Sequence, residues 1–132
     1  MARWAHILVV DDNPYLRQFV AAILQTSTCR VSGVPDGEAM RQFLRSDDSV
    51  DLVILDSVIP GERSSSLARH LLELAMPLVL MLAGPDMMQF AAENHLQLLA
   101  KPFRSGELRS AIEDAVIGHH QNDQIGSAHA PA

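Results

Sequence analysis

Three acidic positions and one basic position stand where this sequence could do chemistry. Asp11-Asp12 follows the apolar run Ile7-Leu8-Val9-Val10, and Asp56 follows Leu52-Val53-Ile54-Leu55. Lys101 follows a weaker run, Leu96-Gln97-Leu98-Leu99-Ala100, and precedes Pro102-Phe103. If the first two runs are neighbouring strands, they lie about 4.8 Å apart and their terminal carboxylates can share one cation. Three such charges repel one another unless a metal neutralises them. Ligation by carboxylates, one backbone carbonyl and water suits magnesium. A carboxylate held beside magnesium and an ammonium can accept a phosphoryl group, because both cations neutralise the transferring oxygens while the carboxylate attacks. The lysine stands out in composition too: the chain has nine arginines and one lysine. A point charge on a four-carbon stem reaches across a neighbouring strand more readily than a planar guanidinium.

These residues need elements to position them. The runs at 7–10 and 52–55, with Leu78-Val79-Leu80-Met81-Leu82, are short and unalternated, as suits strands buried on both faces of a parallel sheet. A less obvious strand is expected from Cys29 to Val34. Between the strands the apolar spacing turns helical: Leu16, Phe19, Val20, Ile23 and Leu24; Ala39, Met40, Phe43 and Leu44; Leu67, Leu71 and Leu74; Leu108, Ala111, Ile112, Ala115 and Val116. Asn13 is an expected N-cap with Pro14 in the first turn, and Asp36 and Ser105 are expected caps of the second and last helices. Pro60-Gly61 and Gly84-Pro85 punctuate loops. A fourth helix, roughly Asp86 to Asn94, has the weakest pattern. Strand and helix alternate five times, which predicts an α/β fold: a doubly wound, five-stranded parallel sheet with right-handed crossovers. Such sheets bind ligands beyond the carboxyl ends of their strands, where the four charged residues fall. Residues 1–118 form one domain on this reading, and 119–132 a flexible C-terminal tail.

Composition narrows the function. A chain of 132 residues with 48% hydrophobic and 20% charged residues is a globular domain, not a disordered one. A formal charge of −6 without a basic patch argues against a nucleic-acid partner. Cys29 is the one cysteine, which excludes an internal disulfide and a CxxC zinc site. No signal segment and no membrane-spanning apolar run is evident, so no membrane partner and a cytoplasmic location are expected.

Five segments together are more specific. Ile7-Leu8-Val9-Val10-Asp11-Asp12-Asn13, Asp36-Gly37-Glu38-Ala39, Asp51-Leu52-Val53-Ile54-Leu55-Asp56, Ile59-Pro60-Gly61 and Lys101-Pro102-Phe103 occur in this order. Residues 5 to about 117 resemble a receiver domain of bacterial two-component response regulators. The resemblance implies a flavodoxin-like (βα)5 fold with strand order 2-1-3-4-5. It implies that Asp56 is the phosphoacceptor, that Asp12, Asp56 and the Val58 backbone carbonyl ligate magnesium with Asp11 acting through water, and that Lys101 contacts the phosphoryl group. It also implies a cis Lys101–Pro102 bond. The partners so implied are a sensor histidine kinase or phosphotransfer protein, with a second copy of the chain as a further candidate. Receivers dock their kinase with the first helix, which makes Tyr15, Leu16 and Phe19, with Pro102 and Phe103, candidate docking residues beside their reading as core.

Two positions depart from the family. Receivers carry Thr or Ser at the end of the fourth strand, where the hydroxyl binds a phosphoryl oxygen, and a switching aromatic three residues before the lysine. Those places hold Leu82 and Leu98, and no hydroxyl residue occurs from Met76 to Gln89. The expected function is a stand-alone receiver in a phosphorelay, a signal carrier and not an enzyme, with output through protein contacts. The alternative is a pseudo-receiver, a binding module that gains no phosphate. A phosphatase of the haloacid dehalogenase type is opposed by the adjacent aspartates, since that family begins with Asp-x-Asp.

Overall fold

The computed structural model describes residues 6–82, 85 and 87–129. In chain order the elements are β1 (His6–Val10), α1 (Pro14–Leu24), β2 (Arg30–Val34), α2 (Gly37–Arg45), β3 (Leu52–Asp56), α3 (Ser64–Glu73), β4 (Leu78–Leu82), α4 (Met88–Glu93), β5 (Gln97–Ala100) and α5 (Ser105–His129). The five strands form one parallel sheet in the order β2-β1-β3-β4-β5. This is the flavodoxin-like order.

Residue type explains the burial. Every residue of β1, β3 and β4 is buried, because helices cover both faces of the sheet centre. Alternate strand residues feed two cores. Ile7, Val9, Leu52, Ile54, Val79 and Met81 pack with Val20 and Leu24 of α1 and Leu108 and Ile112 of α5. Leu8, Val10, Val53, Leu55, Leu80 and Leu82 pack with Met40 of α2, Leu67 and Leu71 of α3 and Ala91 of α4. Alternation at a period of two puts Asp11, Asp56 and Lys101 on the α1/α5 side of the sheet.

Local signals set the helix starts. The Asn13 side chain accepts from the Tyr15 amide at 2.9 Å, with Pro14 opening α1. Asp36 Oδ1 accepts from the Ala39 amide at 2.9 Å. Ser105 is the first residue of α5 and not its cap; the cap position is Arg104, whose amide donates to Glu107 Oε1 at 2.9 Å. A carboxylate three residues into the helix satisfies the capping amide from the other direction. The fourth helix begins at Met88, after Met87 at a left-handed φ of 72°; Gly84 and Asp86, expected at the loop and helix start, lie outside the described residues. The fifth helix continues past the boundary expected at Gly118, as far as His129; residues 130–132 of the expected tail lie outside the described residues.

Two glycines shape the rim at the carboxyl ends. Gly61, in the loop after β3, has a φ of 87°, a left-handed conformation that glycine adopts freely. Gly37 opens α2 beneath Glu62 and Leu67, where an added Cβ would overlap the Glu62 carboxylate and meet Leu67 Cδ2 at 2.7 Å. The Glu62 carboxylate cannot swing away freely, because Arg41 holds both its oxygens, at 2.7 and 2.8 Å. Gly37→Ala is therefore expected to destabilise the protein by about 1–3 kcal/mol in urea unfolding, as overpacked sites do; unchanged stability would contradict this close packing.

Candidate functional site

The register brings the site together. Val10 is paired with Leu55, so the residues that follow each, Asp11 just past β1 and Asp56 at the end of β3, stand side by side. Asp56 is paired with Met81, and Met81 with Leu99, which places Lys101 beyond the end of β5. Two strand spacings, about 10 Å, separate β5 from β3. The lysine side chain spans much of this distance over the end of β4. Its Nζ lies 3.0 Å from Asp11 Oδ2 and 3.1 Å from Asp56 Oδ1. Asp11 Oδ1 accepts from the Asn13 amide at 2.8 Å, so both Asp11 oxygens are engaged. The Val58 amide donates to Asp56 Oδ1 at 3.4 Å, a long contact. The bond before Pro102 is cis.

Asp11 and Asp56 are buried, whereas Asp12 is exposed at the rim. One oxygen from each of the three lies within 4.8 Å of the others. Octahedral magnesium with oxygens at about 2.0–2.1 Å separates opposite ligands by about 4.2 Å, so this acidic set is of the right size for such an ion. The donor chemistry also fits, since every group is a hard carboxylate oxygen.

The electrostatics of the rim are those of an undercompensated cluster. Burial pushes the Asp56 carboxyl above its ordinary value; the Lys101 hydrogen bond opposes this and the Asp11 charge adds to it. Burial tends to lower Lys101, but hydrogen bonds to Asp11 and Asp56 outweigh it and the ammonium is raised overall. The two directions have different leading causes: burial for Asp56, which the single shared ammonium only partly offsets, and for Lys101 the hydrogen bonds to both carboxylates, which outweigh its burial.

Three supporting contacts were not foreseen from sequence. Arg17 Nη1 donates to the Asp11 carbonyl oxygen at 2.7 Å. Its stem crosses Gly33 of β2, where an added Cβ would meet Arg17 Cδ at 2.8 Å. A glycine inside a strand often marks such a close approach, and that was the available signal. Ser64 Oγ, buried at the start of α3, donates to the Asp56 carbonyl oxygen at 3.0 Å. The Arg41–Glu62 pair ties the loop after β3 to α2. Nothing in local sequence marks the last two.

Leu82 is buried in the core on the α2/α3/α4 side, and Leu98 packs against the same core. Neither can hydrogen-bond a phosphoryl oxygen. Among the expected docking residues, Tyr15 is 78% exposed and Phe19 44%, whereas Phe103 is buried against the Phe19 ring, with centroids 5.9 Å apart. Leu16, Phe19, Pro102 and Phe103, with Asn13 and Lys101, line a cavity of about 460 Å³ beside the acidic cluster. Tyr15 is not among its lining residues.

Comparison with known proteins bears on the family and the fold. The sequence model of the response regulator receiver domain matches residues 7–113. The aerobic respiration control protein ArcA of Escherichia coli is 32% identical over 110 residues, covering 78% of this chain and 44% of ArcA. The transcriptional regulatory protein GltR of Pseudomonas aeruginosa is 30% identical over 129 residues, covering 90% of this chain and 51% of GltR. The chain thus spans about half the length of these relatives. Among solved structures, a response regulator receiver domain protein from Clostridium thermocellum superposes with a TM-score of 0.75 at 24% identity, covering 89% of this chain and 98% of that one. The receiver domain of the TMAO respiratory system response regulator TorR gives 0.75 at 24% identity, covering 84% and 95%. These two likenesses concern the fold.

The charge arrangement makes a prediction about stability. Lys101→Met leaves two buried carboxylates without their cation. In metal-free buffer at pH 7 it is expected to cost about 2–4 kcal/mol, below the full buried-pair value because the lysine is partly solvated. The raised lysine stabilises the fold throughout the neutral range, and this contribution fades only as pH climbs through its folded value. The cost of Lys101→Met should shrink in acid as the raised Asp56 carboxyl takes up a proton. Urea unfolding at pH 7 and pH 4.5 checks this; a cost that grows toward acid would contradict it.

Proposed function

The chain belongs to the response regulator receiver domain family, and on that premise we propose that Asp56 accepts a phosphoryl group from the phosphohistidine of a histidine kinase or phosphotransfer protein. The observation that carries the reading is the Lys101 ammonium within 3.1 Å of a buried, incompletely neutralised Asp56 carboxylate beside two further aspartates. In the transfer, an Asp56 carboxylate oxygen forms the new P–O bond while the P–N bond of the donor breaks, and the imidazole leaves with the electron pair. Lys101 holds a phosphoryl oxygen by charge, and its contact with Asp11 keeps it over the cluster. Asn13, through its amide, and Arg17, through the Asp11 carbonyl, orient Asp11.

Asp12 and Asp56, with the Val58 backbone carbonyl, would hold magnesium directly. Asp11 would act through water, which accords with both its oxygens being engaged already. When bound, the ion supplies positive charge beside the transferring oxygens. The exposed ring of Tyr15 and the cavity between α1 and Pro102-Phe103 open next to the site. This face suits a docking helix of the phosphodonor, which must bring its histidine to within bonding distance of Asp56.

No helix among the described residues is long and apolar enough to cross a membrane. Receiver domains are signalling modules, and the reading assigns this chain a carrier's role with output through protein contacts.

Acetyl phosphate with magnesium should add the mass of one phosphoryl group per chain, and Asp56→Asn should stay unmodified. Lys101→Ala should slow uptake by roughly 10²-fold, as loss of a preorganised charge donor does. Intact-mass spectrometry over time checks all three. A wild-type chain that gains no mass from acetyl phosphate or from a small panel of phosphorylated kinases would instead fit a pseudo-receiver.

A further inference from the structure

Asp12 differs from the other two aspartates of the cluster. Asp11 and Asp56 are buried, and each carboxylate takes Lys101 and a backbone amide, of Asn13 and of Val58. Asp12 is exposed, and among the described residues its side chain makes no hydrogen bond or ion pair. Its main chain must therefore place its carboxylate where a metal can use it. We propose that Arg17 is the positioning residue that sets Asp12 for magnesium, and that Gly33 is the opening in β2 that admits the arginine. This rests on the reading of the acidic set as a magnesium site.

The two peptides that flank Asp12 carry the argument. The Asp11 carbonyl belongs to the planar peptide joining Asp11 to Asp12, so whatever holds that oxygen sets the direction from which Asp12 projects. The Asp11 amide still donates to the Val34 carbonyl of β2, at 3.1 Å. The Asp11 carbonyl then accepts from Arg17 Nη1 at 2.7 Å, a short charge-assisted bond. The Asn13 amide belongs to the peptide on the other side of Asp12, and it donates to Asp11 Oδ1 at 2.8 Å. Asp12 thus stands at the apex of a turn whose two peptides are both tied down. Arg17 reaches its carbonyl by lying across Gly33, an exposed residue of the edge strand β2. A Cβ at Gly33 would stand 2.8 Å from Arg17 Cδ and 3.3 Å from Arg17 Cβ and Nε. The Gly33 backbone is not left-handed, so its conformation does not call for glycine; what glycine gives is room for the Arg17 stem. The charge of Arg17 sharpens the inference. As a charge alone, a guanidinium beside this cluster opposes a divalent cation, and its removal would tighten magnesium binding. As a positioning residue, its removal frees the Asp12 peptide and weakens binding. The two roles have opposite signs.

Magnesium is titrated calorimetrically into the full chain and into Arg17→Ala, Gly33→Ala and the double variant, each checked by urea unfolding to be folded at the titration temperature. Alanine is a good helix former, so Arg17→Ala leaves α1 intact, and Gly33→Ala changes no charge. Each single variant is expected to bind magnesium about tenfold more weakly, the usual scale for losing a partner that orients a metal ligand. The double variant should bind no more weakly than Arg17→Ala, because Gly33→Ala acts by displacing the arginine. Acetyl phosphate uptake by the single variants should return to within about threefold of the wild-type rate at saturating magnesium, which a general disturbance of the site would prevent. Unchanged or tighter binding by Arg17→Ala overturns the inference. So do wild-type affinity in Gly33→Ala, losses that add in the double variant, and uptake that excess magnesium does not restore. In each of these cases magnesium binding by the wild type leaves the metal reading standing. A wild-type chain that binds no magnesium overturns this inference and the metal reading together.

Discussion

One ammonium shared by two buried carboxylates governs this molecule. Lys101 reaches over the end of β4 to Asp11 and Asp56, and Asp12 adds a third negative charge at the exposed side. A buried carboxylate left alone would be costly, and a lysine in an apolar setting equally so. Together they are tolerable but not balanced, because three aspartates face one lysine. Burial, with the Asp11 charge adding to it, raises the Asp56 carboxyl, and the hydrogen bonds to Asp11 and Asp56 keep the lysine raised. A fully neutralised cluster would be more stable and less able to take up a cation and a phosphoryl group.

The sheet makes this arrangement possible by register. In a parallel sheet every strand ends on the same side, so residues distant in sequence meet at one rim. Asp56 ends β3, Asp11 follows β1 and Lys101 follows β5, and the spacing of their backbones is set by the strands. Side chains from further away then stiffen the rim. Arg17 fixes the Asp11 carbonyl and needs Gly33 to pass. Ser64 fixes the Asp56 carbonyl, and the Arg41–Glu62 pair holds the loop between them. Such second contacts hold the carboxylates in place when neighbouring charges change.

Much of this was legible in the amino-acid order, and for physical reasons. A run of aliphatic residues buried on both faces is abruptly ended by a charged residue, so the strand and its charged terminus announce themselves together, as at Val10-Asp11 and Leu55-Asp56. The helix starts at Asn13-Pro14 and Asp36 were readable because capping is a local bond. Ser105 misled because Glu107 satisfies the Arg104 amide from inside the helix, so the serine is not needed at the cap. The start of α4 was poorly marked: Met87 enters it in a left-handed conformation, without the glycine or asparagine that usually signals one. The lengths of Arg17 and Lys101 and the pairing of Arg41 with Glu62 depend on tertiary distance, which no local pattern encodes.

The account turns on the rim carrying more negative charge than the lysine can offset. Calorimetric titration with magnesium tests this most directly. One ion should bind per chain, and binding should be lost or greatly weakened in Asp12→Asn and Asp56→Asn. A wild-type chain that takes up no magnesium, or binds it as well after either substitution, would contradict the account.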